Sequence, residues 1–185
     1  MRFFPFMFGV VVSFSSSAAA AVIQYTSKAE WQAVVGSYST IDFTGFAHGT
    51  PLHSQYTEQY GITFDVTMNN IVHTSSFPND GQGVRGQPGS RFYFETPQKW
   101  IAVDFVGNIR IRLLYQGEII YTSSEYSGSL SAFAGIKSDY LFDEVYMFRN
   151  SGSPTFYDDL YGVPSPGALG VFSLAAFGCR RRRRS

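Results

Sequence analysis

The sequence predicts an all-β fold, an antiparallel β-sandwich of jelly-roll type with one short N-terminal helix, flanked by a signal peptide and a C-terminal transmembrane helix. Runs rich in β-branched and aromatic residues recur along the body, each bounded by Gly, Pro, Asn or Ser, which is the pattern of strands joined by turns. In Ile109-Arg110-Ile111-Arg112-Leu113 the aliphatics alternate with arginines, so that sheet has one dry face and one wet face. Roughly eight such runs, with no internal repeat and no long linker between them, favour a layered antiparallel domain.

Residues 1–21 read as a secretory leader. Arg2 supplies the basic end and residues 3–14 the apolar core; Ser15, Ser16 and Ser17 with Ala18, Ala19, Ala20 and Ala21 offer several small-x-small cleavage sites. Cleavage is expected after Ala20 or Ala21. A dozen or so apolar residues are too few for a helix that spans a bilayer, which argues against a retained anchor.

The body follows, over residues 22–162. Ser27-Lys28-Ala29-Glu30 fits a capping box ahead of Trp31, Val34 and Val35, with Gly36 as the stop, and predicts one helix. Strands are expected over 40–46, 61–66, 91–96, 99–106, 109–115, 118–123, 142–148 and 155–161. Tyr115-Gln116-Gly117-Glu118 reads as a hairpin turn. Gly81-Gln82-Gly83-Val84-Arg85-Gly86 satisfies the letter of a dinucleotide fingerprint, yet Phe77-Pro78-Asn79-Asp80 precedes it and Gln87-Pro88-Gly89-Ser90 follows. That motif needs a buried strand before it and a helix after it, so this stretch is expected to be a glycine-rich surface loop.

Residues 163–185 form the other end. Val163-Pro164-Ser165-Pro166-Gly167 leads into an apolar stretch from Ala168 to Cys179 in which only Ser173 is polar, then Arg180, Arg181, Arg182, Arg183, Arg184 and Ser185. A helix over 167–179 would be roughly 20 Å long, short of the ~30 Å hydrocarbon core. Local thinning of the bilayer and snorkelling of the arginines make up the difference. The positive-inside rule then leaves the arginines in the cytoplasm as a stop-transfer end and puts the body on the far side of the inner membrane.

The chain carries 14 basic and 14 acidic side chains, a formal net charge of zero, but residues 22–164 hold 8 basic and 14 acidic ones, a net of −6. An acidic body with no basic face excludes a nucleic-acid partner. Cys179 is the sole cysteine, so the body has no disulfide and its stability rests on its core. In the tail it reads as a small apolar residue, with lipidation as the other option.

No catalytic residue and no cofactor are expected. His48 and His53 are separated by Gly49, Thr50 and Pro51, which breaks the spacing of a two-ligand metal site, and His73 stands apart in sequence. No Gly-x-Ser-x-Gly elbow is present. The adjacent acids Asp158-Asp159 and Asp143-Glu144 should point to opposite faces of their strands, so neither pair alone can face a glycosidic bond. A cross-strand pair of Asp42 with Asp158 or Asp159 stays open. Of the 32 aromatic residues, 25 fall in the body. Tyr115, Tyr121, Tyr126, Tyr140 and Tyr146 are candidates for a sugar-binding face, because a tyrosine ring offers an apolar body and a polar tip; a core that lacks disulfides competes for the same rings.

The terminal order of Val-Pro-x-Pro-Gly, short apolar helix and arginine cluster resembles the PEP-CTERM sorting signal of Gram-negative bacteria. The resemblance covers 163–185 and implies recognition by exosortase, a membrane-embedded cysteine protease that removes the tail and passes the protein to the cell surface. Here the motif residues would be Pro164, Ser165, Pro166 and Gly167, with Arg180 to Arg184 behind them. Ser165 stands where the family usually has Glu, which leaves the exosortase subtype open. A plain C-terminal anchor shares every feature except the Pro-x-Pro-Gly box.

The body is similar to a domain found ahead of such tails, through Ile41-Asp42-Phe43, Gly49-Thr50, Gln55-Tyr56, Tyr60-Gly61-Ile62-Thr63-Phe64, Ala102-Val103-Asp104-Phe105, Phe142-Asp143-Glu144-Val145 and Tyr157-Asp158-Asp159-Leu160. Such domains look like lectin or galactose-binding jelly rolls, and the resemblance implies a structural Ca²⁺ as an option near Asp42, Asp158 and Asp159. The expectation is an exported cell-surface or extracellular-matrix protein with a non-catalytic structural or interaction role. Its partners would be exosortase, the inner membrane in passing and, in the alternative of a lectin-like module, exopolysaccharide.

Overall fold

The computed structural model describes residues 21–74 and 81–163. The leader ahead of Ala21, the motif Pro164, Ser165, Pro166 and Gly167, the apolar stretch with Cys179, and the arginine cluster lie outside the described residues. Among the described residues no helix is long and apolar enough to cross a membrane.

In chain order the elements are β1 (Val22–Tyr25), α1 (Lys28–Val35), β2 (Ser39–Ile41), α2 (Thr57–Tyr60), β3 (Ile62–Phe64), a 3-10 turn (Val66–Met68), β4 (Ile71–Thr74), β5 (Gln82–Gly86), β6 (Gly89–Tyr115), β7 (Glu118–Thr122), β8 (Tyr126–Phe148) and β9 (Thr155–Val163). Every strand pairing among them is antiparallel. β6 and β8 organise the rest, because they pair with each other in two different places. Residues 89–93 and 110–114 of β6 flank residues 144–148 of β8 on either side, with β3 and β7 outside them. The middle of β6 pairs with residues 126–137 of β8 on one side and with β9 on the other. β1 closes one edge of that second array, while β2, β5 and then β4 extend the other.

The two arrays share one core. The first contributes Ile62, Phe64, Phe92, Phe94, Ile111, Leu113, Phe142, Val145 and Met147; the second contributes Val72, Val84, Ile101, Val103, Phe105, Ile136, Tyr157 and Leu160. The alternation read in residues 109–113 holds, with Ile109, Ile111 and Leu113 buried and Arg110 and Arg112 on the outer face.

Helix α1 forms as expected. The Ser27 hydroxyl accepts from the Glu30 amide at 3.4 Å, and Gly36, at φ 75°, ends the helix. It packs on the outside of the second array, where Trp31 and Val35 meet Ala102, Phe133 and Tyr161 in a separate apolar cluster. Gly135 makes this docking feasible, since a Cβ there would stand 2.7 Å from the Trp31 ring. The hairpin also forms. Gln116 and Gly117 both have positive φ, 52° and 82°, as a two-residue type I′ turn requires, and Asp143 accepts from the Gln116 amide at 3.0 Å.

Several expectations are corrected. The glycine-rich stretch 81–86 is no surface loop: Gln82–Gly86 is strand β5, paired with β4 and β9, with Gly83, Val84 and Gly86 buried. The strand expected over 40–46 ends at Ile41, because Asp42 accepts from the Thr44 amide and hydroxyl and Phe43 turns to φ 60°. Strands β1 and β4 and residues 126–141 of β8 are not among the strands expected from the sequence. The three strands expected over 91–115 are one strand that bends, with register shifts after Tyr93 and after Ile109 where it passes between arrays.

Candidate functional site

The sequence offers five tyrosines for a ligand face, and the fold separates them. Tyr126 is a core residue whose hydroxyl donates to the Gly135 carbonyl at 2.9 Å. Burial pushes its hydroxyl far above the ordinary phenol range. Tyr121 packs against the edge of the core. Tyr146 lies on the outer face of the first array, stacked on Phe148 at 5.1 Å, with the Arg112 guanidinium 4.9 Å from the Phe148 ring centroid. Tyr115 and Tyr140, distant in sequence, come together.

These two rings line a cleft of about 430 Å³ with Lys99, Ile120, Asp139 and Leu141. It forms where β8 crosses from one array to the other: Ser138 still pairs with β1, whereas Phe142 already pairs with Gln98. The crossing turns residues 139–141 outward, leaving Tyr140 48% and Leu141 43% exposed. Tyr115 is held at the end of β6 by its pairing with Glu118. The cleft thus offers two aromatic rings and two aliphatic side chains as an apolar floor, an ammonium donor at Lys99 and a carboxylate acceptor at Asp139. Sequence reading found the tyrosines but missed Lys99, Ile120, Asp139 and Leu141, which carry no local signal of their own.

A larger cleft, of about 650 Å³, is lined by Lys28, Asp104, Tyr126, Ser127 and Phe133 among others. Its charged groups, Lys28 and Asp104, are engaged with each other and with Tyr161. The Tyr161 hydroxyl lies 2.6 Å from both Asp104 Oδ2 and Asp159 Oδ2, and Lys28 donates to Asp104 at 3.3 Å and to the Tyr161 oxygen. Burial and the two carboxylates push the Tyr161 hydroxyl far up, so it stays protonated as their shared donor. A one-residue register shift in β9 opposite β6 brings Asp159 toward Asp104; the even alternation assumed for Asp158-Asp159 does not apply there. Asp158 is fully buried and Asp42 is exposed in its turn with Thr44. Among the described residues no three His, Cys, Asp or Glu side chains gather in a group that could hold a metal ion.

Two further clusters were not foreseen. Arg91 donates to Glu144 at 2.5 Å and lies 4.0 Å from Asp65, which also accepts from the Tyr93 hydroxyl at 3.0 Å. Burial alone would raise the Asp65 carboxyl; hydrogen bonds from Thr67 and Tyr93, with the Arg91 charge, outweigh it and lower it. His48 pairs with His73, not with His53, at 4.9 Å between ring centroids. Burial, then the charges of His48 and Arg85, lower the His73 pKa.

No family model matches the chain, and no curated protein matches it. Among solved structures, a mutant of a carbohydrate binding module of family 29 overlays with a TM-score of 0.39 at 13% identity, covering 69% of this chain and 91% of that chain. A CBM51 from Clostridium perfringens in complex with methyl-galactose gives a TM-score of 0.30 at 10% identity, covering 68% of this chain and 100% of that one. At such scores the likeness is distant, and the ligands of those modules are theirs alone.

Proposed function

We propose that the chain is an exported bacterial surface protein whose non-catalytic body, a β-sandwich of jelly-roll type, binds carbohydrate in the Tyr115–Tyr140 cleft. The convergence of Tyr115 and Tyr140 with Lys99 and Asp139 in one cleft carries the reading. Its volume falls in the range of small-ligand clefts, roughly 300–1,000 Å³. The C–H face of a pyranose ring is apolar and packs on a tyrosine ring, while its hydroxyls accept from an ammonium and donate to a carboxylate. An exopolysaccharide presents such rings repeatedly.

Affinity-gel electrophoresis against a panel of neutral and acidic polysaccharides tests the cleft. The wild-type body should be retarded by at least one of them, and Tyr140→Ala or Tyr115→Ala should weaken that retention roughly tenfold. No retardation on any polysaccharide would leave a purely structural matrix role.

Export and sorting rest on the two ends. In this reading the leader is removed on export, and exosortase reads Pro164, Ser165, Pro166 and Gly167 and removes the tail with Arg180 to Arg184. Intact mass of the protein from its bacterial host should show a chain that lacks the five arginines; a chain still ending at Ser185 would mean a plain membrane anchor.

A further inference from the structure

Of the several small-x-small sites in the leader, the two expected ones, after Ala20 and after Ala21, are equivalent by residue type. The fold does not treat them equally. The Ala21 amide nitrogen lies 2.9 Å from Asp139 Oδ2, and the Ala21 carbonyl accepts from the Asp139 amide at 3.0 Å. These two bonds extend the β1–β8 ladder by one residue beyond Val22↔Ser138 and clamp the start of the body to a residue 118 positions away. A cut after Ala21 would discard both bonds with the leader. A cut after Ala20 keeps both and changes the chemistry of one.

We infer that the leader is cleaved between Ala20 and Ala21, so that the new Ala21 α-ammonium closes an ion pair with Asp139 at the rim of the Tyr115–Tyr140 cleft. The inference rests on the export reading above. The step is a hydrolysis by a leader peptidase of the export route. The Ala20–Ala21 amide bond breaks, water supplies the hydroxyl that leaves Ala20 as a carboxylic acid and the hydrogen that makes Ala21 an amine, and the amine takes up a proton from solvent. Before the cut, the nitrogen is a neutral amide donor to Asp139; after it, a full positive charge stands there. Since Asp139 also lines the cleft, cleavage adds a cation to a rim that otherwise carries one at Lys99.

The full chain, expressed with its own leader in a Gram-negative host and recovered after export, tests this by N-terminal sequencing. A first residue of Ala21 is expected. A chain starting at Val22 or Ala20 would overturn the assignment while leaving export intact, whereas an uncut Met1 in every fraction would overturn the export reading with it. Asp139→Asn in the exported protein supplies the second readout. A free α-amine has an ordinary pKa of about 7.7–8.0, and pairing with a carboxylate raises it. The stability from the pair is therefore complete below that range and is lost as pH rises through the raised value. At pH 6 the variant should melt roughly 1–3 °C below wild type, and the gap should shrink by pH 10. A gap of the same size at both pH values would mean a neutral hydrogen bond only, and would overturn the ion pair.

Discussion

Under helix α1, Trp31, Tyr38, Phe133 and Tyr161 meet in edge-on and tilted contacts at 5.1–6.5 Å between centroids. Where β8 crosses between the arrays, Tyr115 and Tyr140 sit with Ile120 and Leu141 in an open cleft. Both groups are aromatic and aliphatic, and both lie on the outside of the shared core. They differ in what covers them. The first is roofed by a helix whose cap, stop and seat on Gly135 are all built in, and Trp31 keeps no exposure. The second has no roof among the described residues. Aromatic content alone therefore says little about function; the covering element decides whether a ring is packing or a ligand surface.

Mutation can break or sharpen that contrast. The largest effect is expected under the helix, where Trp31→Ala removes a fully buried ring and its bond from Nε1 to the Ile136 carbonyl at 3.3 Å. It should lower unfolding free energy by about 3–5 kcal/mol in denaturant titration, and a loss below about 1 kcal/mol would mean that the helix is not the structural lid described. The smallest effect is expected in the cleft, where Tyr140→Ala should shift stability by no more than about 0.5 kcal/mol, since the ring is half exposed. A large loss there would place Tyr140 among the packing residues and remove it from the proposed ligand surface.

Legibility from sequence followed the same division. Helix α1, the hairpin at Gln116-Gly117 and β9 were readable because capping, turn and β-branched signals are local. Strand β5 was misread because its glycines resemble turn residues. Gly86 serves close approach: a Cβ there would press into the Gly89 backbone and stand 2.8 Å from the Ser90 side chain. Residues 126–141 of β8 were missed for a related reason. Ser and Gly weaken a strand signal, yet Gly135 is small because Trp31 lies on it. The cleft was half legible. Its tyrosines stand out by type, but Lys99 and Asp139 join them only through the crossing of β8, a tertiary event with no short-range trace. At Asp158-Asp159 one shifted register in β9 interrupts the two-residue period, which local alternation does not signal.

The passage of β6 and β8 through both arrays has a mechanical consequence. In a sandwich of separate sheets, the layers can slide or peel apart at the cost of their shared apolar surface alone. Here 27 residues of β6 and 23 of β8 are continuous across both, so peeling one layer pulls directly on hydrogen-bonded rungs of the other. Two stitched strands make the layers open together, and a domain without a disulfide acquires through chain path the cross-bracing that covalent links supply elsewhere.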